Sequence, residues 1–358
     1  MTQLPFTSLD ELSSFGDAGS RLAEAAHGLN PLHVPLVLGM FSLYIELVRI
    51  GWYSDEEIDW PLHRSSIIEE VGWASLGFTS DVLAIMRYLP YFNTAEQSRH
   101  NGDLVPGAPP FSYTSPLLTD IRGPIPQLDQ DTLIPPHMLR LVHGGHAGTE
   151  YIYNTATGLI TRLDMSASRI DIPNPLVNAA SHLPRTPPSQ LFQTWLKNLR
   201  TLYWLPDPTR EDSYEEEPPS QPNDSDRWRH PVYSRKNRVH CFRAKKRIFR
   251  NHGWPTSADY DSQACFAELA LFNERERELY HAVMNHEYPM NFEIYYPEVQ
   301  EEPLRTYERF LEEAVGEDAV TEPQIPIDPI MIGHLEPGFD LAAARRKRDE
   351  YWASKQEL

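Results

Sequence analysis

Residues 149–164 read TEYIYNTATGLITRLD, two alternating runs joined by a short polar turn that ends in glycine. A period of two puts Tyr151 and Tyr153 on one face of an extended segment, and the run after the turn alternates in the same way. Two such runs five residues apart close as an antiparallel hairpin, with Gly158 supplying the positive φ that the last loop position needs. Upstream, HMLRLVHGG is a further strand candidate. Downstream, TPPSQLFQTWLKNLRTLYWLP predicts a helix capped by Ser189, with Phe192, Trp195, Leu196, Leu199, Leu202 and Tyr203 along one stripe that must pack on a sheet or another helix. The expected fold class is therefore α+β: a small, mostly antiparallel sheet flanked by helices, followed by a helical C-terminal extension.

The chain has 358 residues, 32 of them proline, so connectors and chain breaks are expected to be frequent. Residues 1–30 read as a polar arm. Residues 34–52, VPLVLGMFSLYIELVRIGW, are dense in apolar side chains but carry Glu46 and Arg49. Those charges argue against a membrane span and for a buried helix, on whose exposed face they pair three residues apart. TSDVLAIMRYLP is a shorter helix capped by Thr79 or Ser80 and stopped by Pro90. These pieces define an α+β domain over residues 31–205.

Residues 206–226 are acidic and rich in Pro and Ser without apolar periodicity, which predicts a disordered linker. The charge then reverses. Lys and Arg crowd residues 227–253, where Cys241, Phe242, Ile248 and Phe249 recur at helical spacing and Gly253 stands as a stop, so a basic amphipathic helix is expected. It opens a basic, helical extension over 227–313 that includes a second helix with Phe266, Leu269, Phe272, Leu279 and Val283 as its apolar positions. A Pro-rich acidic segment and a charged terminal helix complete 314–358. RRKR at 345–348 resembles a nuclear import patch.

The formal charge of −19 makes the surface as a whole repel nucleic acid and anionic membranes. Two cysteines suit a reducing compartment, and the N-terminus has neither the basic nor the apolar region of a secretory signal, so a cytoplasmic or nuclear location is expected. The basic helix remains a local source of positive field. Arg243, Lys245, Lys246 and Arg247 are the candidate partner-binding residues, for an acidic protein partner or for the chain's own acidic surface.

His143 and His146 flank two glycines and invite a catalytic reading. A lone imidazole needs an orienting acid or a further ligand, and Asp164 or His137 is the available choice. The spacing fits no zinc pattern, and HGG lacks a G-x-S-x-G elbow, since Ser75 in GWASLG has the wrong spacing. NHEYP begins like a zincin motif but places Met290 where the second histidine belongs, and His240, Cys241, His252 and Cys265 are irregularly spaced. No metal or cofactor is expected, and a glycine-rich strand connection is favoured over a site. The alternative is a small enzyme of secondary metabolism, with His143, His146 and Asp164 as acid and base in a pocket edged by Tyr151 and Tyr153.

The succession YLPYF, HGGHAGTEYIYN, TATG, LITRL and SQLFQTWLKNL resembles the SMI1/KNR4, or SUKH, superfamily over about residues 134–205. RIFRNHGWP with DSQACF resembles a tail of fungal chains in that group, which suggests a fungal origin. The resemblance implies an α+β fold used for protein binding and regulation, and no catalytic residue set travels with it. It supports a non-enzymatic interaction or regulatory module.

Overall fold

The hydrogen-bonding preferences of these runs are realised in the computed structural model as seven helices and eight short strands among the described residues. Those residues are 8, 11–12, 16–63, 77–92, 103–111, 113, 133–142, 149–164, 176, 183–207, 213–216, 234–255, 260–284 and 301–316. In chain order the elements are α1 (Gly16–Ala26), α2 (Val34–Ile50), β1 (Ile58–Asp59), α3 (Ser80–Met86), β2 (Tyr91–Phe92), β3 (Met138–Val142), β4 (Thr149–Asn154), β5 (Leu159–Asp164) and β6 (Arg185–Thr186). They continue with α4 (Pro188–Arg200), β7 (Trp204–Asp207), β8 (Ser213–Glu216), α5 (Arg235–Asn251), α6 (Ser262–Met284) and α7 (Glu301–Val315). The fold is α+β, with antiparallel sheets.

The hairpin forms where the alternation puts it. β4 pairs with β5 from Thr149 opposite Asp164 to Asn154 opposite Leu159. Asn154 closes the turn: its side-chain oxygen accepts from the backbone of Ala156 at 2.9 Å, and its carbonyl accepts from Gly158 N–H at 2.8 Å. Gly158 has φ +70°, and a Cβ there would also meet Leu32 Cδ1 at 2.6 Å. The sheet runs β3-β4-β5-β6. Tyr151 and Tyr153 turn toward the helices, Tyr151 edge-on to Trp195 of α4 at 4.9 Å between ring centroids. The opposite face is covered as well: Met138, Ile152 and Leu163 pack with Ile134 and Leu176 in a second cluster. Arg140 and Glu150, both buried, pair there at 3.2 Å.

α2 and α4 lie against one another at Gly39, whose Cα faces the Phe192 ring so closely that a Cβ would strike it. α4 is capped two residues ahead of the expected position. Pro187 is the N-cap and Pro188 the first helical residue, a position for which the fixed φ of proline is already suitable, so Ser189 lies inside the helix. Glu46 and Arg49 do pair, at 2.6 Å, but not on an exposed face. Glu46 is 2% exposed, and Arg200 of α4 also reaches it, at 3.0 Å.

Three other expectations are corrected. The N-terminal arm contains α1, whose Leu22 and Ala26 are buried together with Leu12 and Leu29. Part of the predicted linker is strand β8, which pairs with β7 from Trp204 opposite Glu216 to Asp207 opposite Ser213. The boundary expected between 31–205 and 227–313 does not divide the core, which runs without a break from Leu12 to Val315. The described residues belong to one compact unit, Met1–Glu322, and the predicted terminal helix lies outside the described residues. Among the described residues no helix is long and apolar enough to cross a membrane.

Candidate functional site

The basic helix α5 is built as its sequence requires. Ser234 caps it by accepting from Asn237 N–H at 3.3 Å. Gly253 ends it at φ +94°, where Trp254 N–H returns to Phe249 O at 3.0 Å. Cys241, Phe242, Ala244, Ile248 and Phe249 face the core. The anchoring is long-range: Trp254 Nε1 donates to Leu199 O at 3.2 Å, and Tyr260 O–H to Ile50 O at 3.0 Å.

The structure divides the four expected partner-binding residues. Lys245 and Lys246 are each 1% exposed, so the expectation that they present charge to a partner is corrected. The Lys245 ammonium donates to Asp207 of β7 at 2.8 Å and to Glu215 of β8 at 2.7 Å. Asn273 of α6 donates from Nδ2 to both Asp207 carboxylate oxygens, at 3.1 and 3.0 Å. One buried cation thus joins α5 to the β7–β8 ribbon, and through Asp207 to α6. Lys246 lies over the Phe242 ring, 5.7 Å from its centroid.

Arg243 and Arg247 belong instead to a stripe with Lys236 and His240, spaced four, three and four residues apart along a different side of α5. That stripe faces the last turns of α7. Lys236 donates to Glu312 at 2.8 Å, and this bond lifts the ammonium above its usual pKa and lowers that of the carboxyl. Arg247 donates to Ala314 O at 3.3 Å, and its guanidinium lies against Gly316, the left-handed residue that ends α7. A cation there meets the negative end of the helix dipole. His240 sits between the two groups. Burial, then Lys236, pushes its imidazole below the usual pKa, while Glu312 pulls the other way.

The alternative catalytic set falls largely outside the described residues. His143 and His146 lie outside the described residues, and of Asp164 only the backbone is described, opposite Thr149. Tyr151 and Tyr153, the expected pocket edge, are both buried in the main core. Tyr153 O–H instead lies 2.8 Å from Nδ1 of His33, a buried residue ahead of α2 that the sequence reading passed over. Burial lowers the His33 pKa, with Asp81 opposing. Among the described residues no three His, Cys, Asp or Glu side chains are grouped to hold a metal ion.

Asp207, Glu215, Asn273, Glu308 and Glu312 were also missed as members of the charged arrangement. The acidic runs SYEEE and YERFLEE carried a signal for three of the five, Glu215, Glu308 and Glu312, namely an excess of counter-charge near a basic helix. Comparison with known proteins finds no match among protein-family models, curated proteins or solved structures.

Proposed function

We propose that this chain is a non-enzymatic protein-interaction or regulatory module of the cytosol or nucleus, and that the α5 stripe is its acid-recognising surface. The observation that carries the reading is the placement of Lys236 and His240 beside Glu308 and Glu312, and of Arg247 on the Ala314 carbonyl, along the stripe of α5 that also holds Arg243. A row of cations set beside an apolar helix face selects for acidic amphipathic helices, because charge fixes orientation while apolar contacts supply affinity. The SMI1/KNR4-like resemblance of residues 134–205 supports the same class of function, and two buried cysteines that form no disulfide fit a reducing compartment.

The test compares capture from a native extract by the tagged full chain and by a K236E/R243E variant. Specific proteins lost with the reversed charges support the reading. An unchanged set of captured proteins removes α5 from it.

A further inference from the structure

α7 meets the rest of the protein as a bound peptide would. Tyr307, Leu311 and Val315, spaced four residues apart, are each at most 3% exposed and pack on α5 and α6. Phe310 stacks on Phe272 of α6 with ring centroids 5.3 Å apart, and Tyr307 O–H donates to Glu276 at 2.8 Å. Beside this apolar row, Glu308 and Glu312 face the cationic stripe, and the helix ends with its carbonyl on Arg247.

The attachments of α5 and α6 to the remaining fold bypass α7. The Lys245 cluster draws on β7, β8, α5 and α6. Trp254 and Tyr260 reach Leu199 and Ile50, and Arg49 donates to Pro255 O at 3.0 Å. The two helices therefore keep their places when α7 leaves. The ion pair at the α7 edge is open to solvent on both sides, at 54% and 53% exposure, and exposed pairs hold weakly.

The geometry points to the α5–α6 groove as a docking site for an acidic amphipathic helix of a partner protein, with α7 as the resident occupant that the partner displaces. This rests on the interaction-module reading and names the partner's chemistry. The ligand helix presents an aromatic residue, then aliphatic residues four and eight positions later. It carries glutamate immediately after each of the first two, and it ends in glycine so that Arg247 can reach its last carbonyls. Covering the groove with its own α7 keeps an apolar, cationic surface hidden until a stronger helix competes for it, since displacement requires a difference in affinity between the two occupants.

The probe is a labelled synthetic peptide of residues 301–316, followed by fluorescence anisotropy on the full chain. Reversing the acidic edge of the resident helix, E308K/E312K, should tighten peptide binding at least tenfold. A K236C/E312C chain should bind the peptide when its thiols are free and lose it when a bismaleimide with a cleavable disulfide in its spacer locks α7 down across them, with binding restored by reductant in the same sample. That reversal separates occupancy from misfolding. Equal binding by the locked and reduced forms, or no gain from E308K/E312K, overturns the assignment. So does dimerisation that rises as α7 is released, which would make a second copy's α7 the occupant. If the locked chain still captures the extract proteins that K236E/R243E loses, the groove assignment falls and the module reading stands.

Discussion

Replacing Lys245 with methionine separates a buried structural cation from a surface one. The wild-type ammonium lies 2.8 Å from Asp207, itself 1% exposed, and 2.7 Å from Glu215, which is 20% exposed. Methionine fills most of the aliphatic volume but withdraws the ammonium that lies between the two carboxylates. Removing one partner from a buried ion pair costs about 3–5 kcal/mol. The two bonds from Asn273 remain and offset part of this for Asp207, so the expected loss lies near the lower end, about 3 kcal/mol. Urea unfolding at neutral pH, followed by tryptophan fluorescence, should show a lower midpoint with an unchanged m-value. Adding D207N should return a large part of the loss, because the uncompensated charge is then removed as well. R275M, which breaks an ion pair exposed on both sides, should change stability by less than about 1 kcal/mol. If K245M behaves like R275M, Lys245 is not the buried hub described above, and the attachment of the β7–β8 ribbon to α5 has to be explained otherwise.

G39A should destabilise, although alanine is the better helix former by about 1 kcal/mol. The new methyl enters the Phe192 ring in a fully buried contact, and overpacking of this kind costs about 1–3 kcal/mol; a raised melting temperature would refute the close α2–α4 contact. Acid should weaken the fold from just below neutrality. His33, His63 and His240 all have pKa values lowered from 6.5, each chiefly by burial, so the unfolded chain binds more protons than the folded one below that pH. Their stabilisation is complete above about pH 6.5 and is lost as pH falls through the folded-state values, at up to about 1.4 kcal/mol per pH unit for each proton taken up on unfolding. Urea titrations between pH 7 and 5 measure the slope, and a flat profile would contradict the buried, neutral imidazoles.

The segments legible in the sequence are those whose periodicity is local. The hairpin announces itself through Tyr151, Tyr153 and Gly158, and α4 through its stripe from Phe192 to Leu199. What escaped depends on partners distant in the chain. SYEE contains no apolar alternation, yet it becomes a strand because β7 supplies a ladder and Lys245 holds Glu215 from thirty residues away. Lys245 and Lys246 read as a solvated face because charged residues on a helix usually are, and nothing nearby reveals that Asp207 waits for one of them. Glu46 was placed on an exposed face for the same reason: its second cation, Arg200, is 154 residues away. The stripe on α5 was half visible. Arg243 and Arg247 were picked out as charges, but their alignment with Lys236 and His240 has meaning only once α7 is set opposite.

The bonds from Tyr260 to Ile50 and from Arg49 to Pro255 span 210 and 206 residues. During synthesis α2 leaves the ribosome long before the helices that cover its C-terminal end exist. At about 5–20 residues per second the delay is roughly 10–40 s, which is long compared with the collapse of a small domain. For that interval the most apolar helix of the described chain has no complete surface to pack on, and the nascent protein is a natural client for chaperones that shield apolar segments. Premature termination between Asp164 and Trp254 would leave a product that can form its hairpin yet cannot close its core.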